Sequence, residues 1–482
     1  MIINLRTAGG NALSILTSDV MNRATSFVMY ALVARHLGAQ EFGQLSLAFS
    51  LFYMFQVFAI AGLKVLVIRQ VAKDRSQTSL YFVNACTIVT AASFASVAAL
   101  FAFVHLMHYP VGTTRVALLL SLGLLPTAIS AVCEGIFQAW EKMHFIAWVN
   151  VPVNVAKIIG TFILLTGRQG LYGVIFILLG AFFTVAGIET WMVLRRFPSP
   201  QASIDIAFSI KTLRSAITFL GIDGTLAIEG SVNILFLSKL ATVSEVGFYS
   251  AATQVMVPLF LVYQSIAQSI FPLMCRNIEH GLQSLKRIAV HALEILLMLA
   301  LPAIAGIFFL GDWILSLFYK NPAFLQAGPA LRIVAWTLLL QVFSNVLGQV
   351  LLATHREKIT LRIVIVNILV SLVVGWPLMK FFGLRGAALT LLMSRLAGSI
   401  QHYIPVSRIL SGVPLGQILW KPFVAAACMA AYLALPTNQT GVLRGVSATL
   451  IYVGALLALS VWVSGGPRRF KEKYLVLLSQ KT

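Results

Sequence analysis

Residues 19–50 read DVMNRATSFVMYALVARHLGAQEFGQLSLAFS and contain the pattern that decides the fold. The stretch begins inside an apolar span near 13–34, with Arg23 close to the middle of that span, and it continues through a tight turn at residues 36–42. The same pattern returns once, at a fixed offset of 204 residues. The repeated pairs are Asp19 with Asp223, Glu41 with Glu245, Gly43 with Gly247, Ser46 with Ser250 and Ala48 with Ala252, while Arg35 is replaced by Lys239. So many matches at one offset indicate an internal duplication.

The composition is that of a polytopic membrane protein. Of the 482 residues, 59% are hydrophobic and 10% are charged, whereas soluble proteins carry about 25% charged residues. The mean hydropathy is +0.90, and apolar runs of about 20 residues recur along the chain. We expect no cleavable signal peptide. The four cysteines fall inside these runs and are interpreted as packing residues.

The apolar runs predict about fourteen membrane-spanning helices. They lie near 13–34, 43–63, 80–106, 115–138, 145–167, 171–194, 216–238, 246–274, 288–311, 330–353, 359–380, 385–407, 418–436 and 442–464.

The net charge of +20 has an uneven distribution. With the N-terminus in the cytoplasm, about two thirds of the 35 lysine and arginine residues fall on the cytoplasmic side. This bias predicts that both termini are cytoplasmic. Attraction to anionic lipid of the inner leaflet explains the basic charge, so anionic membrane lipid is an expected partner and nucleic acid is not.

A second pair of motifs repeats independently. FQAWEKMHF at 137–145 corresponds to LLATHREKI at 351–359, and GLYG at 170–173 corresponds to GLRG at 383–386, at an offset near 213. The duplication predicts an all-α protein with a six-helix N-terminal lobe at 1–205 and a six-helix C-terminal lobe at 206–410. Residues 411–482 would add a two-helix hairpin and a basic cytoplasmic tail. Six crossings per copy make the repeats parallel, related by an axis along the membrane normal around a central cavity.

Charged residues inside a bilayer are costly unless they face a cavity or a partner. Arg23, Lys157 and Arg395 are the candidate cations for an anionic head group. The polar stripes of spans 5 and 8 add Asn154 and Gln254 as candidate substrate contacts. A structural alternative remains for Arg23, because Asp19 is four residues away and neutralises it along the helix.

Acidic residues supply the candidates for ion coupling. Asp19, Asp223 and Glu229 are the predicted proton or cation sites, although the first two also fit a structural role near the cytoplasmic interface. Glu134, Glu189 and Glu294 are expected near the interface, where a structural role is favoured.

Motifs for catalysis are not found in the sequence. It has no nucleotide-binding glycine loop, no HExxH and no GxSxG before a helix, and its external loops are short. We therefore expect no enzyme activity and no cofactor, apart from coupling to H⁺ or Na⁺.

Several motifs together carry a family resemblance. ARHLGAQEFGQLSLAFSL at 34–51, SKLATVSEVGFYSAATQV at 238–255 and GLRGAAL at 383–389, in this order, resemble the Wzx-type polysaccharide or O-antigen flippases of the MOP transporter superfamily. The resemblance implies two six-helix lobes around a cavity that opens to alternate sides of the bacterial inner membrane. It implies transport of undecaprenyl-diphosphate-linked oligosaccharide, with polysaccharide polymerase and chain-length proteins as possible partners. Arg23 would meet the diphosphate.

Other functions stay open at this point. Peptidoglycan-precursor flippases of the same superfamily place several cations near spans 1, 2 and 8, whereas span 8 here has only glutamines before Arg276. That departure leaves Lys157 and Arg395 as substitute cations. A cation-coupled multidrug antiporter is the main alternative, although such exporters depend on acidic residues. A membrane polymerase or acyltransferase, and a structural scaffold, are weaker alternatives.

Overall fold

A computed structural model describes residues 5–167, 169–197, 204–436 and 440–466, with the side chains of 5–19 and of Glu357 excepted. The side chain of Asp19, residues 198–203 near the predicted lobe boundary, and the basic tail therefore lie outside the described residues. Within these ranges the chain is helical and contains no strand, which confirms the predicted all-α class.

The α-helices follow one another with short connections. In chain order they are α1 (Leu5–Ile60), α2 (Leu63–Lys73), α3 (Thr78–Leu106), α4 (Val111–Ser121), α5 (Leu124–Ala139), α6 (His144–Thr166), α7 (Gly170–Arg196), α8 (Ile206–Leu240), α9 (Val243–Asn277), α10 (Leu282–Tyr319), α11 (Gly328–Ala335), α12 (Thr337–Ala353), α13 (Glu357–Ile409), α14 (Leu415–Ala434) and α15 (Gly441–Val463).

Twelve segments of the described chain are long and apolar enough to cross a membrane. Two of them contain 54 and 52 residues, far more than the roughly 20 that one crossing needs. Each is interrupted by a glycine with positive φ, Gly38 at 80° in α1 and Gly383 at 49° in α13. Because glycine lacks Cβ, it turns the chain there at little steric cost. Each long segment therefore holds two crossings, and the helices match the fourteen predicted spans.

The contacts group the chain into two compact units. The first comprises Met1–Gln254 with Gly375–Leu384, and the second comprises Val255–Val374 with Arg385–Thr482. These units are defined by contacts in space, whereas the predicted division at residues 205 and 410 is defined by the sequence repeat. That division stays a prediction.

Helix α1 organises the first unit. It packs against α3, α4, α6 and α8, and α5 packs against α3 and α7. The fully buried Val33, Leu45 and Leu51 supply the α1 side of this core. Large apolar side chains such as Trp148 and Phe176 remain exposed on the outside. An apolar exterior around an apolar core suits a protein whose surroundings are lipid.

The chain breaks after the second crossing, and here the two repeats differ. Ala61 and Gly62 both have positive φ, and the amphipathic α2 starts directly after them. Gly62 lies against α8, where a Cβ would come within 2.7 Å of the Ala216 carbonyl oxygen. In the second repeat the residue at the same offset is Ile266, and α9 runs on without a break to Asn277. The segments that follow spans 2 and 8, which are equivalent by the 204-residue offset, thus have different backbone structures.

Asn84 fixes the start of α8 against α3. Its buried amide donates to the Leu80 carbonyl at 2.9 Å. Its oxygen accepts from the Asp205 backbone amide at 2.9 Å and from the Ser209 hydroxyl at 3.0 Å. A single buried side chain therefore satisfies polar groups at a helix N-terminus that would otherwise lack partners.

Replacing Asn84 by alanine is expected to lower the stability of the purified protein by about 1–3 kcal/mol, because the Asp205 backbone amide and the Ser209 hydroxyl lose their acceptor. Thermal unfolding in detergent measures this change as a lower midpoint temperature. Thr87→Ala is the matched control, since Thr87 is exposed and bonds only within its own helix, to the Val83 carbonyl. Equal midpoints for the two variants would contradict this role of Asn84.

In the second unit, α10 packs against α11, α12 and α14, and α14 packs against α15. Tyr452 of α15 donates its hydroxyl to the Met298 carbonyl of α10 at 2.8 Å. Arg332 and Asp312 form an ion pair at 2.7 Å near the ends of α11 and α10. The final two helices are thus bonded to α10 and belong to the compact body of the second unit.

Candidate functional site

The first unit encloses a polar cavity of about 340 Å³. Side chains of α1, α2, α5, α6 and α7 line it. Its charged and hydrogen-bonded lining includes Asn22, Lys64, Ser130, Glu134, Asn154 and Lys157. A polar cavity with ionisable side chains inside an apolar helix bundle marks a candidate site for a polar ligand.

Lys157 is held in this cavity by a chain of amides. Its ammonium donates to the Asn154 side-chain oxygen at 2.7 Å, and the Asn154 amide donates to the Asn22 side-chain oxygen. Asn150 lies one turn before Asn154 on the same face of α6, and its side-chain nitrogen finds no partner among the described residues. The structure therefore brings together two predicted substrate contacts, Asn154 and Lys157, and adds Asn22 and Asn150.

An ion pair lies in the same cavity. The Lys64 ammonium of α2 is 2.5 Å from a Glu134 carboxylate oxygen of α5. Both side chains are partly exposed to the cavity. The sequence predicts Glu134 near the interface and gives no sign of its pairing with Lys64. Their separation of 70 residues makes the pair a product of the tertiary fold.

Glu189 of α7 lies behind the cavity wall. Its relative exposure is 0%, and the Ser130 hydroxyl donates to one of its carboxylate oxygens. The other oxygen is buried without a hydrogen-bond partner in the described part of the chain. Ser130 itself lines the cavity. The Ser130 hydroxyl therefore links the fully buried Glu189 carboxyl group to the cavity.

Tyr53 of α1 contributes an aromatic ring to the cavity lining. Its side chain is 50% exposed, and its ring stacks on Phe49 at a centroid distance of 5.7 Å. Phe52 continues the aromatic cluster and stacks on Phe182 of α7 at 5.6 Å. A rigid ring with a hydroxyl at one end presents both an apolar face and a polar edge to a ligand.

The other predicted residues of the first unit lie elsewhere. Arg23 is exposed on α1, about 100° around the helix from Asn22, and does not belong to the cavity lining. Asp223 is exposed on α8 within electrostatic reach of Lys64. Glu229 is half-buried on α8, and Gln254 is half-buried on α9. Their assigned roles stay predictions.

Two further predicted residues, Arg395 and Asp19, are not among the described side chains of the first unit. Arg395 is half-buried on α13 in the second unit. The side chain of Asp19 lies outside the described residues. The proposed roles of Arg395 in substrate binding and of Asp19 in coupling also stay predictions.

The repeated turns meet in the first unit at a pair of glycines. A Cβ on Gly43 would lie 2.0 Å from the Val243 carbonyl oxygen, and a Cβ on Gly247 would lie 2.2 Å from the Ala39 carbonyl oxygen. Gly43 and Gly247, and likewise Ala39 and Val243, are 204 residues apart. The contact is therefore reciprocal, as a duplicated segment that packs on its own copy requires.

The glutamates of these turns bind the second pair of repeated motifs. The Leu171 backbone amide hydrogen-bonds to the Glu41 carboxylate. The Leu384 backbone amide donates to Glu245 at 3.3 Å. The two motif pairs that repeat separately in the sequence, at offsets of 204 and near 213, are thus joined by equivalent hydrogen bonds in each copy.

Comparison with known proteins identifies the family. The sequence pattern of the family described as "Polysaccharide biosynthesis protein" matches residues 8–278, more than half of the chain. The chain belongs to the polysaccharide biosynthesis protein family. A second pattern, described as "MatE", matches residues 227–376. The polysaccharide biosynthesis pattern covers all of the residues that line the cavity.

Relatives of this family member are named flippases and transporters. The chain is 22% identical over 463 residues to the "Probable low-salt glycan biosynthesis flippase Agl15" of Haloferax volcanii, covering 95% of this chain and 93% of the relative. It is 20% identical over 370 residues to the "Putative O-antigen transporter" of Shigella dysenteriae, covering 76% and 92%. It is 24% identical to the "Probable flippase AglR" of Haloferax volcanii, and that match spans about half of each chain, 52% and 53%.

A solved structure described as "Lipid II flippase MurJ, inward closed conformation" has the same fold. Its TM-score is 0.76 at 16% sequence identity, and the match covers 94% of this chain and 98% of that chain. At this identity the likeness shows the fold alone. The fold and the family together confirm the MOP-superfamily resemblance read from the sequence motifs.

Proposed function

We propose that this family member is a flippase that moves a lipid-linked oligosaccharide across a bacterial inner membrane by alternating access. The observation that carries the proposal is the polar cavity with two lysines, Lys64 and Lys157, inside an apolar helix bundle. Two relatives that match over more than 90% of their own length are named as a glycan biosynthesis flippase and an O-antigen transporter, which supports the same class of transporter for this chain.

The cavity chemistry fits the head group of such a lipid. Lysine ammonium groups bind phosphate oxygens, and amides such as Asn150 bind sugar hydroxyls. The exposed face of Tyr53 offers a sugar ring an apolar surface. A volume of about 340 Å³ is at the small end of ligand sites, so it suits a diphosphate with its first sugar better than a whole oligosaccharide.

The direction of transport and the partners belong to the same proposal. We assign both termini to the cytoplasm from the lysine and arginine bias, and undecaprenyl diphosphate as the lipid carrier. A proton or sodium gradient would drive the cycle, since one charge crossing the membrane is worth about 2.3 kcal/mol per 100 mV. Anionic membrane lipid, polysaccharide polymerase and chain-length proteins are the proposed partners.

Cells that lack this chain provide the test. The extracted lipids are expected to contain a diphosphate-linked oligosaccharide that accumulates on the cytoplasmic side, while surface polysaccharide is lost. Re-expression of the chain is expected to restore both, and the missing sugar then names the substrate. Normal surface polysaccharide in these cells would contradict the proposal.

A cation-coupled multidrug antiporter is the second candidate, because the MatE pattern matches residues 227–376. The cavity lining disfavours it, since Lys64 and Lys157 outnumber Glu134, the one carboxylate among the described lining residues, and the excess positive charge repels cationic drugs. In the same cells, an increased sensitivity to cationic drugs with unchanged surface polysaccharide would support the antiporter.

A further inference from the structure

Aromatic and cationic side chains gather at one end of the first unit, outside the cavity. They come from the turn after α2, the α5–α6 turn and the end of α7. These segments flank the second, fourth and sixth predicted crossings, so they share the side of the membrane that the proposed topology assigns to the cytoplasm. We call this group the aromatic–cation cluster, and its members, none of which is among the described cavity-lining residues, are Arg75, Phe137, Trp140, Lys142, Phe145, Arg196 and Phe197.

The four aromatic rings of the cluster form a continuous layer. Phe197 lies 5.2 Å from Trp140 and 5.9 Å from Phe137, measured between ring centroids. Phe137 in turn lies 5.6 Å from Phe145. The indole of Trp140 is fixed in this layer, because its Nε1 donates to the Thr78 hydroxyl at 3.0 Å. The layer therefore presents ring faces in fixed positions.

Three cations lie over these rings. The guanidinium carbon of Arg75 is 5.1 Å from the Trp140 ring centroid, and that of Arg196 is 4.8 Å from the Phe145 ring centroid. The Lys142 ammonium is 5.8 Å from the same Trp140 ring. Cation–π attraction thus collects three positive charges on one aromatic layer.

The chain supplies no counter-charge to this layer among the described residues. The ion pairs of the described chain lie elsewhere, and neither Asp74 nor Glu141, the acidic neighbours in sequence, pairs with a cation of the cluster. The Asp74 carboxylate instead accepts hydrogen bonds from Ser76 and Gln77 in its own turn. Because cations gathered on one layer repel one another, an external anion would stabilise the arrangement.

The second repeat forms the same turn without these rings. Glu141 has a φ of 58°, and His355, its counterpart in LLATHREKI, has a φ of 55°. The Lys142 and Arg356 backbone amides, which come next, each donate to the carbonyl five residues earlier, at 2.8 and 2.9 Å. A threonine occupies the position of Trp140 in the second repeat. The aromatic layer is therefore not a requirement of the turn, which favours a role in binding.

An apolar surface adjoins the cluster on the outside of the bundle. Trp148 is exposed on α6 one turn after His144, and its ring is 5.3 Å from the imidazole. Trp191 is exposed on α7 one turn before Arg195. Tryptophan at the end of a membrane helix lies at the level of the lipid head groups. A ligand that matches both surfaces carries an anionic group and apolar chains, as an anionic phospholipid does.

We propose that the aromatic–cation cluster binds an anionic phospholipid. Arg75, Lys142 and Arg196 donate to the phosphate, and the acyl chains lie along the exposed faces of α6 and α7. The net charge alone predicts attraction to anionic lipid but gives it no site, whereas this proposal assigns one lipid to one set of side chains. It goes beyond the flippase function, because the lipid it concerns is not the one transported.

Native mass spectrometry of the purified full chain tests the proposal, because it resolves the binding of single lipids. The probes are phosphatidylglycerol and phosphatidylcholine with identical acyl chains. The wild type is expected to bind its first phosphatidylglycerol about ten-fold more tightly than its first phosphatidylcholine. Lys142→Gln is expected to weaken phosphatidylglycerol binding by about five-fold, and the triple variant with Arg75→Gln and Arg196→Gln is expected to lose the preference.

A second triple variant separates this site from general electrostatic attraction. Arg356→Gln, Lys358→Gln and Arg408→Gln remove the same charge from exposed positions of the second repeat, at and near its equivalent turn. This variant is expected to keep the preference for phosphatidylglycerol within about two-fold of the wild type. Equal losses in the two triple variants would overturn the proposal, because net charge would then account for the binding.

The ring is tested apart from the charges. Trp140→Leu keeps every cation but removes the ring under two of them, and it is expected to weaken phosphatidylglycerol binding by about three- to ten-fold. Trp140→Phe retains a ring and is expected to keep most of the binding. Variants are compared only where their thermal midpoints without added lipid match that of the wild type, so that misfolding does not imitate a lost site; the single Lys142→Gln carries the test if the triple variant fails this criterion.

Two further results would overturn the proposal. One is an equal affinity of the wild type for the two phospholipids. The other is tighter binding of undecaprenyl diphosphate than of phosphatidylglycerol, lost in the first triple variant, since it would assign the cluster to the transported lipid. Neither result removes the flippase function, which depends on the restoration of surface polysaccharide in cells.

Discussion

Replacing Gly43 by alanine is expected to reduce glycan export by about ten-fold or more, with the protein still present in the membrane. The new Cβ would lie 2.0 Å from the Val243 carbonyl oxygen and 3.0 Å from the Gly247 backbone nitrogen. Both are backbone atoms, which cannot rotate away as a side chain does. The segments of α1 and α9 must therefore separate, and any conformation that needs this contact loses population. Gly247→Ala is expected to act in the same way, because its Cβ would lie 2.2 Å from the Ala39 carbonyl oxygen.

A cysteine placed one helical turn after Gly43 would report the separation of α1 from α9 directly. Ser46 is buried one turn further along α1. In a chain with its native cysteines replaced, Ser46→Cys is expected to react faster with a membrane-impermeant maleimide when Gly43 is also alanine. Gly180→Ala is the matched control, because Gly180 is also helical and a Cβ there meets nothing within 4 Å. Wild-type export and an unchanged labelling rate in Gly43→Ala would show that the close contact is not needed.

The outer turns show what a sequence reveals about such a contact. The match at an offset of 204 identifies Gly43 and Gly247 as equivalent, and hydropathy places both at the start of a span. Equivalence alone does not say that the two residues touch, because it fixes the local backbone but not the packing between copies. The sequence does not show, for the same reason, the hydrogen bonds that the Leu171 and Leu384 backbone amides donate to Glu41 and Glu245.

The cavity likewise contains some contacts that local sequence spacing predicts and others that only the tertiary fold creates. Asn154 and Lys157 are three residues apart, so helical periodicity alone places them on one face, and the structure joins them by a hydrogen bond. The sequence predicts Glu134 and Glu189 near the interface, because it gives only their distance from the ends of their spans. Their actual surroundings come from Lys64 of α2 and Ser130 of α5, far away in the chain. The break at Gly62 starts the separate helix α2 that carries Lys64 and has no counterpart in the second repeat.

Replacing Lys157 by alanine is the other change with a large expected effect. A hydrogen bond to a charged group contributes about 1.5–3 kcal/mol, so losing this cation is expected to reduce export of an anionic lipid head group by about ten- to one-hundred-fold. Lys157→Gln separates charge from hydrogen bonding, because glutamine keeps a donor that can reach Asn154 but carries no charge. We expect it to be as defective as the alanine variant, whereas Lys157→Arg retains the charge and part of the export.

The control and the competing prediction belong to the same assay. Lys211→Ala removes an exposed lysine of α8 and is expected to leave export unchanged, with all variants compared at equal membrane levels. Arg23→Ala tests the substrate role that the sequence assigns to α1. If Lys157→Ala exports normally while Arg23→Ala does not, the head group binds at Arg23 and not in the cavity of the first unit. If Lys157→Ala and Lys157→Gln both fail and Lys157→Arg functions, a positive charge at this position is what the substrate requires, because glutamine keeps a hydrogen-bond donor without the charge and arginine keeps the charge.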